Sequence, residues 1–235
     1  MFTFSQGRRA RTFGGPCEAW GARSLGRSAA KLKIGLFGGA FDPVHNAHLF
    51  IAEAARAAEK LDRVVFLPIR AGHHRDALRG SIEDRATMLR LAIASNPAFS
   101  LDLTDTDEQA TGYTADLLPR MRSLYPNDEL YFIAGSDSIV RGGWKRLDEI
   151  FQYLEGFLVA PRPDIERSEL EGALSVVPAP VRHKVKFIDL PLHTDSATTV
   201  RDRLESGATV RYLVPEAVWR YIIEHGLYVN GAVKK

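Results

Sequence analysis

The chain has 235 residues, 45% hydrophobic and 26% charged, the proportions of an ordinary globular protein. They exclude a disordered polymer, a collagen-like fibre and a disulfide scaffold, and no apolar run approaches the roughly 20 residues of a membrane-spanning helix. Lys and Arg number 31 against 29 Asp and Glu, a formal +2 that hints at nucleic-acid binding until the charge is located.

Most of it lies at the start. In residues 1–31, Arg8, Arg9, Arg11, Arg23, Arg27 and Lys31 face only Glu18, a net +5 that leaves −3 for residues 32–235. A nucleic-acid partner is therefore not expected. The opening stretch is rich in Gly, Ser, Ala and Arg and keeps no periodicity, so residues 1–31 read as a basic, disordered extension before a domain at 32–235. Its Arg-rich, acid-poor composition also resembles an organellar transit peptide, whereas Arg8-Arg9 lacks the apolar segment of an export signal. The single cysteine, Cys17, cannot close an internal disulfide, which fits a reducing compartment and points to the cytoplasm.

From residue 33 the elements follow in order. Lys33 to Phe37 is a short apolar run ending in Gly38-Gly39, a buried strand entering a tight turn. Asn46 to Glu59 reads as a helix with Leu49, Ile51, Ala52 and Ala55 at apolar positions. Arg63 to Pro68 is a second strand. Ser81-Ile82-Glu83-Asp84 opens a helix that Asn96-Pro97 stops. Phe99 to Leu103 is a third strand, Tyr113 to Tyr125 a helix and Glu129 to Ala134 a fourth strand ending at Gly135. Phe157 to Ala160 and Val185 to Ile188 complete six strands. Helices at about 198–206 and 215–225 close the chain, the last ended by Gly226. Alternating strands and helices predict a doubly wound α/β sheet, mostly parallel, in a single domain with short C-terminal helices.

Chemistry concentrates after the first strand, in Gly38-Gly39-Ala40-Phe41-Asp42-Pro43-Val44-His45-Asn46-Ala47-His48. Two glycines permit a sharp turn and close approach to a ligand. The helix that follows offers unpaired N–H groups and a positive dipole end. His45 and His48, three apart, share one face. Together they suit a phosphate cradle, one without the P-loop lysine and without a G-x-G-x-x-G fingerprint. The same pair suits a metal or a capped turn, but no third metal donor is placed locally. Near the C-terminus, Ser196-Ala197-Thr198-Thr199-Val200-Arg201 follows the sixth strand. Its hydroxyls can cap a helix and donate to phosphate, and Arg201 can grip a polyphosphate with its fork. Gly135 and Asp137 stand at a strand's C-terminal end, where doubly wound sheets bind nucleotides. His73-His74-Arg75 reads as a basic loop able to close on phosphates.

The first motif resembles that of the nucleotidyltransferase superfamily, usually H-x-G-H, with Ala47 in place of the glycine. Ser196 to Arg201 resembles its second phosphate motif, S-[SA]-T-x-x-R, with Asp195 where an apolar residue is usual. The middle resembles one branch, the bacterial nicotinate-nucleotide adenylyltransferases. Tyr113-Thr114-Ala115-Asp116 is similar to S-Y-T-x-D-T-L, with Gly112 and Leu117 departing. Tyr131 to Ser138 is similar to Y-F-I-I-G-A-D-S, Trp144-Lys145-Arg146 to T-W-K-R and Pro161-Arg162-Pro163 to an R-P turn. Arg211 to Pro215, Tyr221-Ile222 and His225-Gly226-Leu227-Tyr228 match the C-terminal end. The matches are collinear over about residues 32–229.

The resemblance implies a Rossmann-like nucleotidyltransferase domain that joins ATP, with Mg²⁺, to nicotinate mononucleotide. It implies catalytic roles for His45, His48 and Arg201, and ATP contacts from Gly38, Gly39, Phe41, Gly135, Asp137, Ser196 and Thr198. It implies a mononucleotide site of Tyr113, Thr114, Trp144 and Arg162, with Trp144 stacking on the pyridine and Arg162 on the phosphate. No protein ligand to a metal is assigned, no membrane partner is implied, and the oligomeric state stays open. A related transferase acting on phosphopantetheine or a cytidylyl acceptor, and a nucleotide-binding module without catalysis, are the alternatives.

Overall fold

A computed structural model describes residues 31–70, 78–141, 144–191 and 195–229. The expectations for residues 1–30, with Cys17, and for His73-His74-Arg75 lie outside the described residues. Six strands form one sheet: β1 (Lys33–Gly39), β2 (Arg63–Pro68), β3 (Phe99–Leu101), β4 (Glu129–Gly135), β5 (Gly156–Ala160) and β6 (Val185–Phe187). Their order is β3-β2-β1-β4-β5-β6, and all five pairings are parallel, so the expected mostly parallel sheet is wholly parallel.

A strand buried on both faces must be apolar at successive positions, and β2, β4 and β5 are. In β2, Val64 and Phe66 join one core cluster while Val65 and Leu67 join the other. In β4, Tyr131 and Ile133 face the first, and Leu130, Phe132 and Ala134 the second. The first face is covered by α1 (Asn46–Glu59), α2 (Ile82–Ile93), α7 (Ala197–Glu205) and α8 (Glu216–His225). The second is covered by α3 (Thr114–Leu124), α4 (Ser136–Arg141), α5 (Leu147–Tyr153) and α6 (Arg167–Leu174). This is the doubly wound α/β domain expected from the alternation of elements.

Three helices were not expected: α4, α5 and α6. They have six to eight residues, about two turns, too few for a hydrophobic period to show. α4 follows β4 without a loop, and α5 starts after Arg146 at φ +57.

The chain runs β1 to β3 toward one edge, then crosses β1 to build β4 to β6 toward the other. The reversal lies between β1 and β4, where Phe37 pairs with Ile133. Beyond that pair, Gly38-Gly39 and Ala134-Gly135 end side by side. In open parallel sheets, ligands bind in the crevice at this point.

Candidate active site

A cavity of about 260 Å³ opens there. Its wall contains ten of the fourteen residues singled out from the sequence: Gly38, Gly39, Phe41, His48, Tyr113, Thr114, Gly135, Asp137, Trp144 and Arg162. His45, Ser196, Thr198 and Arg201 are not in the wall, although Ala197, inside the second motif, is.

The glycines act differently from expectation. Neither Gly38 nor Gly39 takes a left-handed backbone; Phe41 does, at φ +47. Their lack of a side chain serves close packing instead. A Cβ on Gly38 would lie 3.0 Å from the Phe132 ring, and one on Gly39 3.0 Å from the Phe41 ring. Phe41 is 1% exposed and sits edge-on to Phe37 and to His48. Its ring therefore backs the site more than it presents a surface to ligand.

His45 caps α1, and its main-chain N–H donates to Nδ1 of His48 at 3.2 Å. That bond makes Nδ1 an acceptor, so in the neutral ring Nε2 carries the proton. The two imidazoles lie 3.7 Å apart between centroids, and His45 is buried. The helix end is less open than predicted. The Asn46 N–H donates to the Leu213 carbonyl at 2.9 Å, its side-chain amide donates to the Tyr212 carbonyl at 2.7 Å, and the His48 N–H returns to the His45 carbonyl at 3.0 Å. Attraction for anions at this end thus falls more on side chains than on bare helix N–H groups. Ala47 is 1% exposed and absent from the cavity wall, so its methyl packs into protein rather than toward ligand.

In the second motif Ser196 caps α7, accepting from the Thr199 N–H at 3.0 Å. Arg201 lies across the gap to the first motif. Its Nη1 donates to the Asp42 carbonyl at 2.7 Å and its Nη2 to the Thr198 hydroxyl at 3.2 Å, while Nε is buried without a hydrogen-bond partner. The two motifs, about 150 residues apart in sequence, are therefore joined by one guanidinium.

On the β4–β5 side, Trp144 packs edge-on against Phe132 and Phe157 and donates from Nε1 to the Ser138 carbonyl at 2.9 Å. It is both core and cavity wall. Arg162 is tied by Nη1 to the Asp195 carbonyl at 3.2 Å, and its main-chain N–H donates to the buried Ser136 hydroxyl at 2.9 Å. Tyr113 and Thr114 open α3, where Gly112, replacing the usual serine, adopts φ +74.

Four residues that matter here carried no assigned role. Asp116 and Arg146, both inside recognised stretches, pair at 2.5 Å, tying α3 to the Trp144 segment. Arg85, 1% exposed, had no local signal at all. Asp105, 4% exposed, stands in the cavity wall, and burial pushes its carboxyl up to about 7. Among the described residues, no group of three or more His, Cys, Asp or Glu is gathered around a common point.

A parallel doubly wound sheet, with a cavity at its switch point and two phosphate-type motifs meeting beside it, defines a nucleotidyltransferase. The cytidylyltransferase-like family model matches residues 36–203. A relative from Moorella thermoacetica, named "Probable nicotinate-nucleotide adenylyltransferase", is 37% identical over 86% of this chain and 96% of its own. One of the same name from Saccharopolyspora erythraea is 36% identical over 83% and 89%. The chain belongs to the nicotinate-nucleotide adenylyltransferase family. A solved Plasmodium falciparum nicotinic acid mononucleotide adenylyltransferase, complexed with NaAD, shares the fold with a TM-score of 0.66, at 21% identity over 84% of this chain and 97% of that one.

Proposed function

We propose that the chain transfers the adenylyl group of ATP to nicotinate mononucleotide, giving deamido-NAD and pyrophosphate, as a step of NAD biosynthesis in the cytoplasm. The carrying observation is the cavity at the β1–β4 crevice. It gathers the glycine ends of two strands, His48, and the Tyr113-Thr114 and Trp144 segments, with Arg201 bridging both phosphate motifs beside it.

In this reading the mononucleotide phosphate attacks the α-phosphorus of ATP in line and pyrophosphate leaves. No protein nucleophile is needed, and rate comes from positioning and from meeting developing charge. The Nε2–H of His48 donates to ATP phosphate oxygens, with His45 behind it fixing the ring. Arg201, Ser196 and Thr198 hold the departing pyrophosphate. Gly38, Gly39, Gly135 and Asp137 border the nucleoside, with Asp137 accepting from ribose hydroxyls. Tyr113 and Thr114 fix the pyridine carboxylate, Trp144 gives the ring an aromatic face, and Arg162 takes the mononucleotide phosphate.

Mg²⁺ enters with ATP, held by phosphate oxygens and water, and neutralises charge on the triphosphate. A site whose acids are dispersed around the wall suits an ion carried in this way.

Pyrophosphate release, measured with ATP and each of nicotinate mononucleotide, nicotinamide mononucleotide and phosphopantetheine, tests the proposal. Release with the nicotinate compound is expected to be fastest. Release with phosphopantetheine alone, or ATP binding with no release, would overturn it. Trp144→Ala is expected to raise KM for the mononucleotide about 10-fold with little change for ATP. A change confined to ATP would contradict the stacking role.

A further inference from the structure

The turn between β1 and α1 is held by groups outside the cavity wall. Asp42, 2% exposed, is its hub. Its carboxylate accepts from the Arg79 N–H at 2.8 Å, the Gly80 N–H at 2.9 Å and the Tyr228 hydroxyl at 2.8 Å. Its carbonyl is the one that holds Arg201, at 2.7 Å. Two residues earlier, the Ala40 carbonyl accepts from Nη1 of Arg85 at 2.7 Å. The same guanidinium donates to the Ile69 carbonyl at 2.9 Å and the Gly80 carbonyl at 3.3 Å.

A guanidinium is stable in the interior only where its N–H groups are matched. Here they are matched to main-chain oxygens from three separate segments, which fixes those segments against one another. Gly80 completes the arrangement. A Cβ there would lie 2.6 Å from the Tyr228 hydroxyl and 2.9 Å from Asp42 Oδ1, so a side chain would evict the tyrosine. Tyr228 comes from beyond α8, 186 residues from Asp42. The stretch before α8 clasps the other side of the same turn, through the Leu213 and Tyr212 carbonyls on Asn46.

We propose that Asp42, Arg85 and Tyr228 are positioning residues that fix the Asp42 carbonyl beneath Arg201, and so hold Arg201 and His48 in one frame facing the triphosphate. None of the three lines the cavity. They act through the turn, and the proposal rests on the phosphate-site reading given above.

Tyr228→Phe keeps the ring and removes only the hydroxyl. It is expected to lower kcat about 10-fold, the scale of one charge-assisted hydrogen bond, with KM for the mononucleotide within about twofold. Amide hydrogen exchange over residues 40–48 is expected to quicken about 10-fold while β4 stays unchanged. Gly80→Ala is expected to give the same signature, and a smaller one in the Tyr228→Phe background. A Tyr228→Phe enzyme with kcat within twofold of the parent and unaltered exchange at 40–48 would overturn the proposal. So would exchange that quickens equally in β4, which marks loss of general stability. The exchange measurement needs no substrate. An inactive parent protein would therefore sink the adenylyl-transfer reading, and local or uniform quickening would still decide the clasp.

Discussion

His48→Ala is expected to lower kcat by about 10²-fold or more while changing either KM far less. That is the usual cost of removing one preorganised donor from a site where charge develops. The geometry argues for preorganisation. Nδ1 is occupied by the His45 N–H at 3.2 Å, which sets the proton on Nε2. The ring is held between the His45 imidazole, centroids 3.7 Å apart, and the edge of Phe41 at 5.0 Å. A donor held this way pays no reorganisation when pentavalent phosphorus forms, so its loss appears in kcat rather than in binding. The variant also loses the acceptor that caps α1, worth about 1 kcal/mol of stability. Steady-state rates should therefore be read at a temperature where both proteins are folded. Turnover within threefold of the parent would remove His48 from the chemistry.

The periodic segments made the sheet legible. β2 and β4 are apolar on consecutive residues because both faces are covered, and α1 carries enough turns for its stripe to register. The short helices α4, α5 and α6 were not legible, because their ends are set by β4, by Arg146 and by packing rather than by a local pattern. The site divides in the same way. Glycine, histidine and arginine at fixed spacing singled out Gly38, His48 and Arg201, of which the fold places the first two in the cavity wall and the third across the gap between the two motifs. Spacing does not reveal what a group does with its hydrogen bonds. The Asn46 N–H, expected to await an anion, is used by Leu213 from far along the chain. The left-handed residue in the turn is Phe41, not a glycine. Arg85 and Tyr228 acquire meaning only through the β1–α1 turn, where folding brings Arg85 to the Ala40 carbonyl and Tyr228 to the Asp42 carboxylate.

Asp105→Asn is expected to stabilise the protein above neutrality and to leave it unchanged in acid. Asp105 sits in a short 3₁₀ turn, Thr104–Thr106, after β3, 4% exposed in the cavity wall. Burial drives its carboxyl from 3.8 to about 7, with Arg120 opposing the rise and Asp107 adding to it. Below about pH 4 both folded and unfolded chains hold the proton, and the group is neutral in stability. As pH rises toward 7, the unfolded chain ionises while the folded chain keeps its proton, so folding is progressively disfavoured. Above about 7 the folded carboxyl is ionised too, and the full penalty of roughly 4 kcal/mol, an upper bound for this displacement, is in place. Asparagine keeps the shape and never ionises. Denaturant unfolding at pH 4, 5, 6, 7 and 8 should show the parent losing stability relative to Asp105→Asn across that window, reaching about 2–4 kcal/mol at pH 8. Parallel curves would mean that the carboxylate is solvated after all. Asp105 stands in the cavity wall, where an acid ionising near neutrality is placed to meet a ligand. The more stable variant is accordingly expected to be the poorer enzyme at pH 8, with kcat/KM reduced about 10-fold, the scale of one charged contact.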